Sequence, residues 1–329
     1  MADRLAEAQG GEAGQPYALT MVPKKDEVRR MPTDFLTRLR QEVLVLYAPM
    51  QTLLMEWGKE LESHLSEWVL SHPEAYQEAL VKSYAAGCDM GHTATQASSV
   101  FRTEPFNLGS HVHEFNYKSA KLAREVTPKD RFVVGNISCS NPDFMEPVGS
   151  YTKDFVRDGY TAQIMALGEG GVDVLHISGN QIDSLCLAVK IAKEKTSLPV
   201  IAHSTFYKDA KGFHTMYGLD PKAASRMAAQ AGADVVGCIC GLFSYADTTE
   251  IVQQMGEETD CVLGAQPDAG MPELVDGTTV HPAKPEEMAA NVQGWIKAGA
   301  RLVGGCCGTS LGHYTELSAK VRDINRHVM

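Results

Sequence analysis

Short runs of β-branched and aliphatic residues recur along the chain at intervals that leave room for a helix between each pair. Eight such runs stand out: Val43–Tyr47, Cys88–His92, Arg131–Ser138, Val172–Ser178, Pro199–Thr205, Asp234–Cys240, Cys261–Gln266 and Arg301–Gly305. They are apolar at consecutive positions, as expected of strands covered on both faces. Between them lie helical patterns such as Pro73–Ala86 and Pro221–Ala231, and several helices end in a glycine that leads directly into a strand: Gly87, Gly171, Gly232 and Gly299. Glycine in that place is a helix C-cap. Eight βα units with short connections predict an α/β fold, a (β/α)8 TIM barrel forming a single domain over residues 31–329. An open doubly wound sheet is the second choice. Residues 1–30 are polar and lack apolar periodicity, and are expected to form an N-terminal extension covering the barrel floor.

In a barrel of this kind the reactive groups stand at the C-terminal ends of the strands. That rim receives Cys240 and the run Gly304-Gly-Cys-Cys-Gly-Thr309, where two adjacent thiols sit in a glycine-flanked loop. Neighbouring side chains on a regular strand point to opposite faces, so two cysteines can meet at one ion only where the backbone leaves the strand. Three thiolates suit Zn2+ with an open fourth position. The competing reading is a disulfide between Cys306 and Cys307, which requires a strained eight-membered ring. Cys238, two residues before Cys240, is expected deeper in the barrel, and Cys139 is expected to form a pocket wall. Further polar groups at the rim are Asn141, Asn180 and Thr205.

Composition narrows the class. With 44% hydrophobic and 22% charged residues the chain reads as a soluble globular protein. A net charge of -11, with basic residues scattered singly, argues against nucleic acid and anionic membrane surfaces as partners. No stretch approaches the ~20 apolar residues of a membrane span, and the N-terminus lacks a signal-peptide pattern, so a cytoplasmic location is expected. Eight cysteines in a chain of 329 residues do not make a disulfide scaffold.

With these residues in place, the chain resembles the homocysteine S-methyltransferase family, zinc-dependent barrels that include betaine-homocysteine methyltransferase and the homocysteine-binding module of methionine synthase. The resemblance runs from about residue 43 to 325. It rests on Gly304–Thr309, Gly237-x-x-Cys240, Gln96-Ala-Ser-Ser99, Asp268-Ala-Gly-Met-Pro272 and Val275-Asp-Gly277. It implies a methyltransferase, with Cys240, Cys306 and Cys307 as ligands of one zinc ion.

Two positions depart from the family pattern. The first strand reads Tyr47-Ala-Pro-Met-Gln-Thr52 where the family has Asp-Gly-Ala-Met-Gly-Thr, and the fourth ends Ile177-Ser-Gly179 where the family has Ile-Glu-Thr. The acidic groups that would hold the amino group of homocysteine are thus Tyr47 and Ser178, which makes homocysteine a poor fit unless Glu169 or Asp268 takes over. Tyr47, His92, His176, His203, Phe206 and Tyr207 suggest an aromatic, neutral mouth. The expected substrate contacts are Met50, His92, Thr93, Gln96, Ser138, Ser178, Phe206, Gln266 and Asp268, with His203 and Tyr47 as catalytic groups. The expected substrate is a methyl ether such as a methoxyaromatic, its methyl group passing to a reduced corrinoid. No Asp-x-His-x-x-Gly corrinoid motif is present, so the corrinoid is expected on a partner protein. The alternatives are a thiol or homocysteine S-methyltransferase forming methionine or another thioether and, more distantly, a non-enzymatic binding barrel. A homo-oligomer is also compatible with the sequence.

Overall fold

Eight parallel strands form the expected ring: β1 (Leu44–Val45), β2 (Met90–His92), β3 (Phe132–Ser138), β4 (Val174–Gly179), β5 (Val200–Asp209), β6 (Val235–Leu242), β7 (Val262–Gln266) and β8 (Ala300–Val303). The structure, a computed structural model, describes residues 34–60, 63–139, 146, 149–275 and 278–328. The expected extension 1–30 and Asn141, Asp276 and Gly277 lie outside the described residues. The hydrogen-bonded order is β1, β8, β7, β6, β5, β4, β3, β2, a cyclic order that an open doubly wound sheet does not have. The remaining seam, between β1 and β2, is bridged where the Asp89 N–H donates to the Val45 carbonyl at 2.9 Å.

Alternation along the strands divides the core in two. Leu44, Leu46, Met90, Phe132, Val134, Val174, Ile201, Val235 and Leu302 face inward, and the helix Phe35–Gln41 closes the floor with Phe35 and Leu39. Val45, Val133, Leu175, Ile177, Val200, Ala202 and Val236 belong to the layer between strands and helices. The helices Pro73–Ala85 and Pro221–Ala231 fall where the pattern predicts them. Gly87, Gly171, Gly232 and Gly299 take φ of +100°, +88°, +106° and +114°, the left-handed turn that ends each helix before its strand.

A second device follows three of these glycines. Asp89, Asp173 and Asp234 open β2, β4 and β6, each two residues after a capping glycine, and each accepts a hydrogen bond from the backbone of the preceding strand. The donors are Val45 N–H at 2.8 Å, Val133 N–H at 2.7 Å and Val200 N–H at 2.8 Å. Each carboxylate also meets a cation: Arg38 and Arg131 for Asp89, Arg124 for Asp173, and Lys193 for Asp234. These stitches tie β1 to β2, β3 to β4 and β5 to β6 at the floor of the barrel.

Candidate metal centre

β6 delivers the first thiol by breaking its own alternation. Gly237 faces inward, where an added Cβ would meet the His203 ring at 2.7 Å, so Cys238 faces outward into the helix-covered layer. As expected, Cys238 is buried below the rim and stands apart from the rim thiols, its side chain in the helix-covered layer. Cys240 would follow Cys238 outward. Instead the pairing of β5 with β6 slips between Ser204 and Phe206, and Cys240 takes a left-handed φ of +50°. An irregularity of this kind re-aims a side chain, here toward the rim.

The other two thiols come from the loop after β8, which is laced to the end of β7. Cys306 N–H donates to the Pro267 carbonyl at 2.8 Å, Cys307 N–H to Asp268 Oδ1 at 2.9 Å, and Ala269 N–H to the Cys307 carbonyl at 2.9 Å. Gly308 turns the loop at φ +73°, where a Cβ would strike His281 at 2.3 Å. Beneath the loop, the buried Tyr314 hydroxyl sits 2.5 Å from the Tyr47 carbonyl and 2.8 Å from the Gly305 carbonyl, and accepts from Gly305 N–H at 3.0 Å. This clamp fixes the ends of β1 and β8 together.

Cys240, Asp268, Cys306 and Cys307 thereby bring four donor atoms within 4.8 Å of one another. The Cys240–Cys307 and Cys306–Cys307 sulfur separations are 3.7 and 4.0 Å. Tetrahedral zinc with bonds of ~2.3 Å requires sulfurs about 3.8 Å apart, so the donor set fits that ion. The 4.0 Å separation also means that Cys306 and Cys307 are not bonded to each other. Hydrogen bonding with Cys240 and Cys307, followed by burial, pushes the Cys306 thiol well above its ordinary value. The same contacts hold Cys307 below its ordinary value, aided by nearby His281. Burial, then the Cys307 charge, pushes Asp268 up to about 7. The cluster accommodates one thiolate readily and resists more; a divalent cation removes that repulsion.

Below the thiols the barrel interior is polar rather than aliphatic. The Tyr47 hydroxyl bonds to His176 Nδ1, and the Tyr47 and His92 rings lie 4.1 Å apart. His92 accepts from Met50 N–H at 3.1 Å and meets Asn136 Nδ2 at 3.1 Å. His203 Nδ1 faces Gln266 Oε1 at 3.3 Å, and Gln266 Nε2 donates to the Gly305 carbonyl at 3.2 Å. Burial lowers His92 and His203 to about 4 and His176 well below its ordinary value, so all three rings are neutral at pH 7. Burial also pushes the Tyr47 phenol well up, and the nearby Cys306 adds to that shift.

The expected site residues divide accordingly. Cys240, Cys306, Cys307 and Asp268 come together, with Tyr47 and Gln266 immediately below. His203 lies one layer deeper, its ring seated over Gly237 and Gly264. Gln96 links Asn136, at 3.4 Å, to Gln51, at 3.0 Å. Thr93 accepts from Asn136 N–H at 3.0 Å, and Ser138 and Ser178 sit side by side in register. The Met50 and Phe206 side chains belong to the helix-covered layer rather than the mouth. Buried Cys139 joins the same layer. Glu169 ends the helix Lys153–Gly170 on the floor side, exposed and bonded to His113 at 2.8 Å, so it is not at the mouth. Asn136, His281, Tyr314 and Arg102 are members of the site that the sequence reading did not single out; no motif marks any of them.

The family model described as Homocysteine S-methyltransferase matches residues 44–321. The methionine synthases of Mycobacterium tuberculosis and Mycobacterium leprae are each 25% identical over 89% of this chain, which covers 26% and 25% of their lengths. The chain thus spans about a quarter of the length of the curated relatives it matches. The metallated form of the homocysteine methyltransferase MmuM from Escherichia coli superposes with a TM-score of 0.70 at 20% identity, covering 85% of this chain and 97% of that one. A methyltransferase from Methanosarcina mazei gives 0.57 at 12% identity, covering 89% and 98%. At these identities the two structures speak to the fold alone.

Proposed function

The chain belongs to the homocysteine S-methyltransferase family and is a methyltransferase, and on that premise we propose that it activates a methyl ether, such as a methoxyaromatic, for methyl transfer to a corrinoid carried by a separate protein. Zn2+ held by Cys240, Cys306 and Cys307 would act as a Lewis acid on the ether oxygen. Tyr47, kept protonated by burial beside the thiols, would offer a hydrogen bond to the departing oxygen on exchanging its contact with His176. His203 acts as a positioning residue, orienting Gln266, while Asp268, anchored by Cys307 N–H, would offer the ion a carboxylate beside the thiols.

The observation that carries this reading is the loss of the amino-group site. The acidic positions of the first and fourth strands are Tyr47 and Ser178, Tyr47 is turned to His176, Glu169 is occupied at the far end of the barrel, and Asp268 is drawn into the thiol cluster. An ammonium buried without a carboxylate is disfavoured by several kcal/mol. The second reading, thiol methylation, is favoured by the curated relatives, which are named as methionine synthases.

Zinc content of the purified protein beside Cys240→Ser and Cys307→Ser, with parallel assays of thiol methylation and of methoxyaromatic demethylation by reduced corrinoid, separates the readings. One zinc per chain, lost in both variants, with demethylation only, is the expected result. Methylation of a thiol would favour the second reading, and metal-free protein under reducing conditions would overturn both.

A further inference from the structure

Beside the mouth, between the loops that follow β1 and β2, lies a pocket of about 460 Å³, within the range of small-molecule sites. Its wall includes Arg102, Lys59, His64, Phe106 and Gln51. Gln51 connects it to the centre through Gln96 and Asn136, which reaches the His92 ring stacked near Tyr47. Arg102 belongs to the short helix Val100–Thr103 and is half-buried, enough for burial to lower its pKa. Among the described residues its guanidinium has a single hydrogen bond, to Ser138 Oγ at 3.5 Å, and no carboxylate in ion-pair range. The neighbours that could neutralise it by ionising are held protonated by burial, Cys139 up to about 12 and Tyr160 well above its ordinary value. A desolvated guanidinium without a counter-ion is unfavourable, and its planar fork matches a carboxylate. Lys59, itself buried, donates to the Glu60 and Ser63 carbonyls at 2.7 and 2.8 Å on the same wall. The buried His64 ring supplies a second unmet group: Nε2 bonds to the Ala97 carbonyl at 2.9 Å, and Nδ1 finds no partner among the described residues.

We infer that this pocket binds the carboxylate of the substrate through Arg102, so that the methylated substrate is an organic acid held at its far end while its methyl-bearing end faces the thiols. The inference rests on the proposed function for the methyl-bearing end at the thiols; the carboxylate follows from the pocket itself. The exposed Phe106 ring, with His64 5.4 Å from it, offers flat apolar surface for a planar ligand.

The test is binding rather than turnover. Calorimetric titration of the full chain with 4-methoxybenzoate and with its neutral counterpart methoxybenzene should show a preference for the acid. Arg102→Gln should weaken the acid about 10- to 100-fold and leave the neutral compound unchanged, and Arg102→Lys should restore part of the difference. Equal binding of acid and neutral compound by the wild-type protein, or of acid by wild type and Arg102→Gln, overturns the inference; so does inorganic phosphate competing as well as the acid. Acid binding together with thiol methylation would retain the pocket assignment and reject the ether reading.

Discussion

The imidazoles inside the barrel make a pH statement about single residues. His92 and His203 titrate near 4 in the folded chain against an ordinary value of 6.5, because burial disfavours their charged form. The folded state therefore binds fewer protons than the unfolded one between these values. Stability is complete above pH 6.5 and declines as pH falls through 4, by roughly 3 kcal/mol for each ring. Thermal melts of metal-free protein between pH 7 and 4 should fall steeply, and His203→Gln should flatten the slope. An unchanged slope in that variant would show that the acid sensitivity arises elsewhere. The same neutrality argues that His203 does not supply a proton at pH 7.

At the scale of elements, the Gly-x-Asp stitches hold adjacent strands where the ladders begin. Asp89 joins the seam of the ring, accepting from Val45 N–H and facing Arg38 and Arg131 while almost fully buried. Asp89→Ala leaves an N–H and two guanidinium groups without their partner and should cost about 3–5 kcal/mol, read as a lower urea midpoint. A shift under 1 kcal/mol would mean that the seam is held by other contacts. The strands themselves are legible in sequence because a strand covered on both faces needs a continuous apolar run, and the glycines because the left-handed turn ending these helices favours a residue without a Cβ. The stitches were not legible, since an aspartate two residues past a glycine carries no sign of the strand beside it. Cys306 and Cys307 could be placed at the rim from their loop. The direction of Cys240 could not, because period-two reasoning sends it outward with Cys238, and only the slipped pairing and left-handed backbone reverse that. Phe206 differs: period-two alternation from inward-facing His203 already sends its ring outward, into the helix-covered layer. Arg102 lies in a helix of four residues with no periodicity to expose it.

For the whole molecule, the centre joins segments that are far apart in sequence. Cys240 lies near the end of β6, Asp268 follows β7 and Cys306–Cys307 follow β8, while Tyr314 of the C-terminal helix Leu311–Val328 locks β8 to β1. A metal bound only by the folded chain stabilises it by mass action. Stripping zinc with a chelator should therefore lower Tm, and readdition should restore it; Cys306→Ser should melt at the stripped value with or without zinc. A chelator effect of equal size in that variant would point to a different metal site. Among the described residues no helix is long and apolar enough to cross a membrane.

Cys240 also carries a cost that the other thiols do not. Its φ of +50° holds a side chain where glycine is at home, and the following Gly241 already sits at +101°; for a residue with a Cβ this conformation is disfavoured by roughly 1–2 kcal/mol. Glycine would relieve it and forfeit a ligand. Selection for the chemistry and selection for the fold therefore pull in opposite directions at this one position. For the barrel alone Cys240→Gly is downhill, so the thiol stands at the rim against the preference of its own backbone.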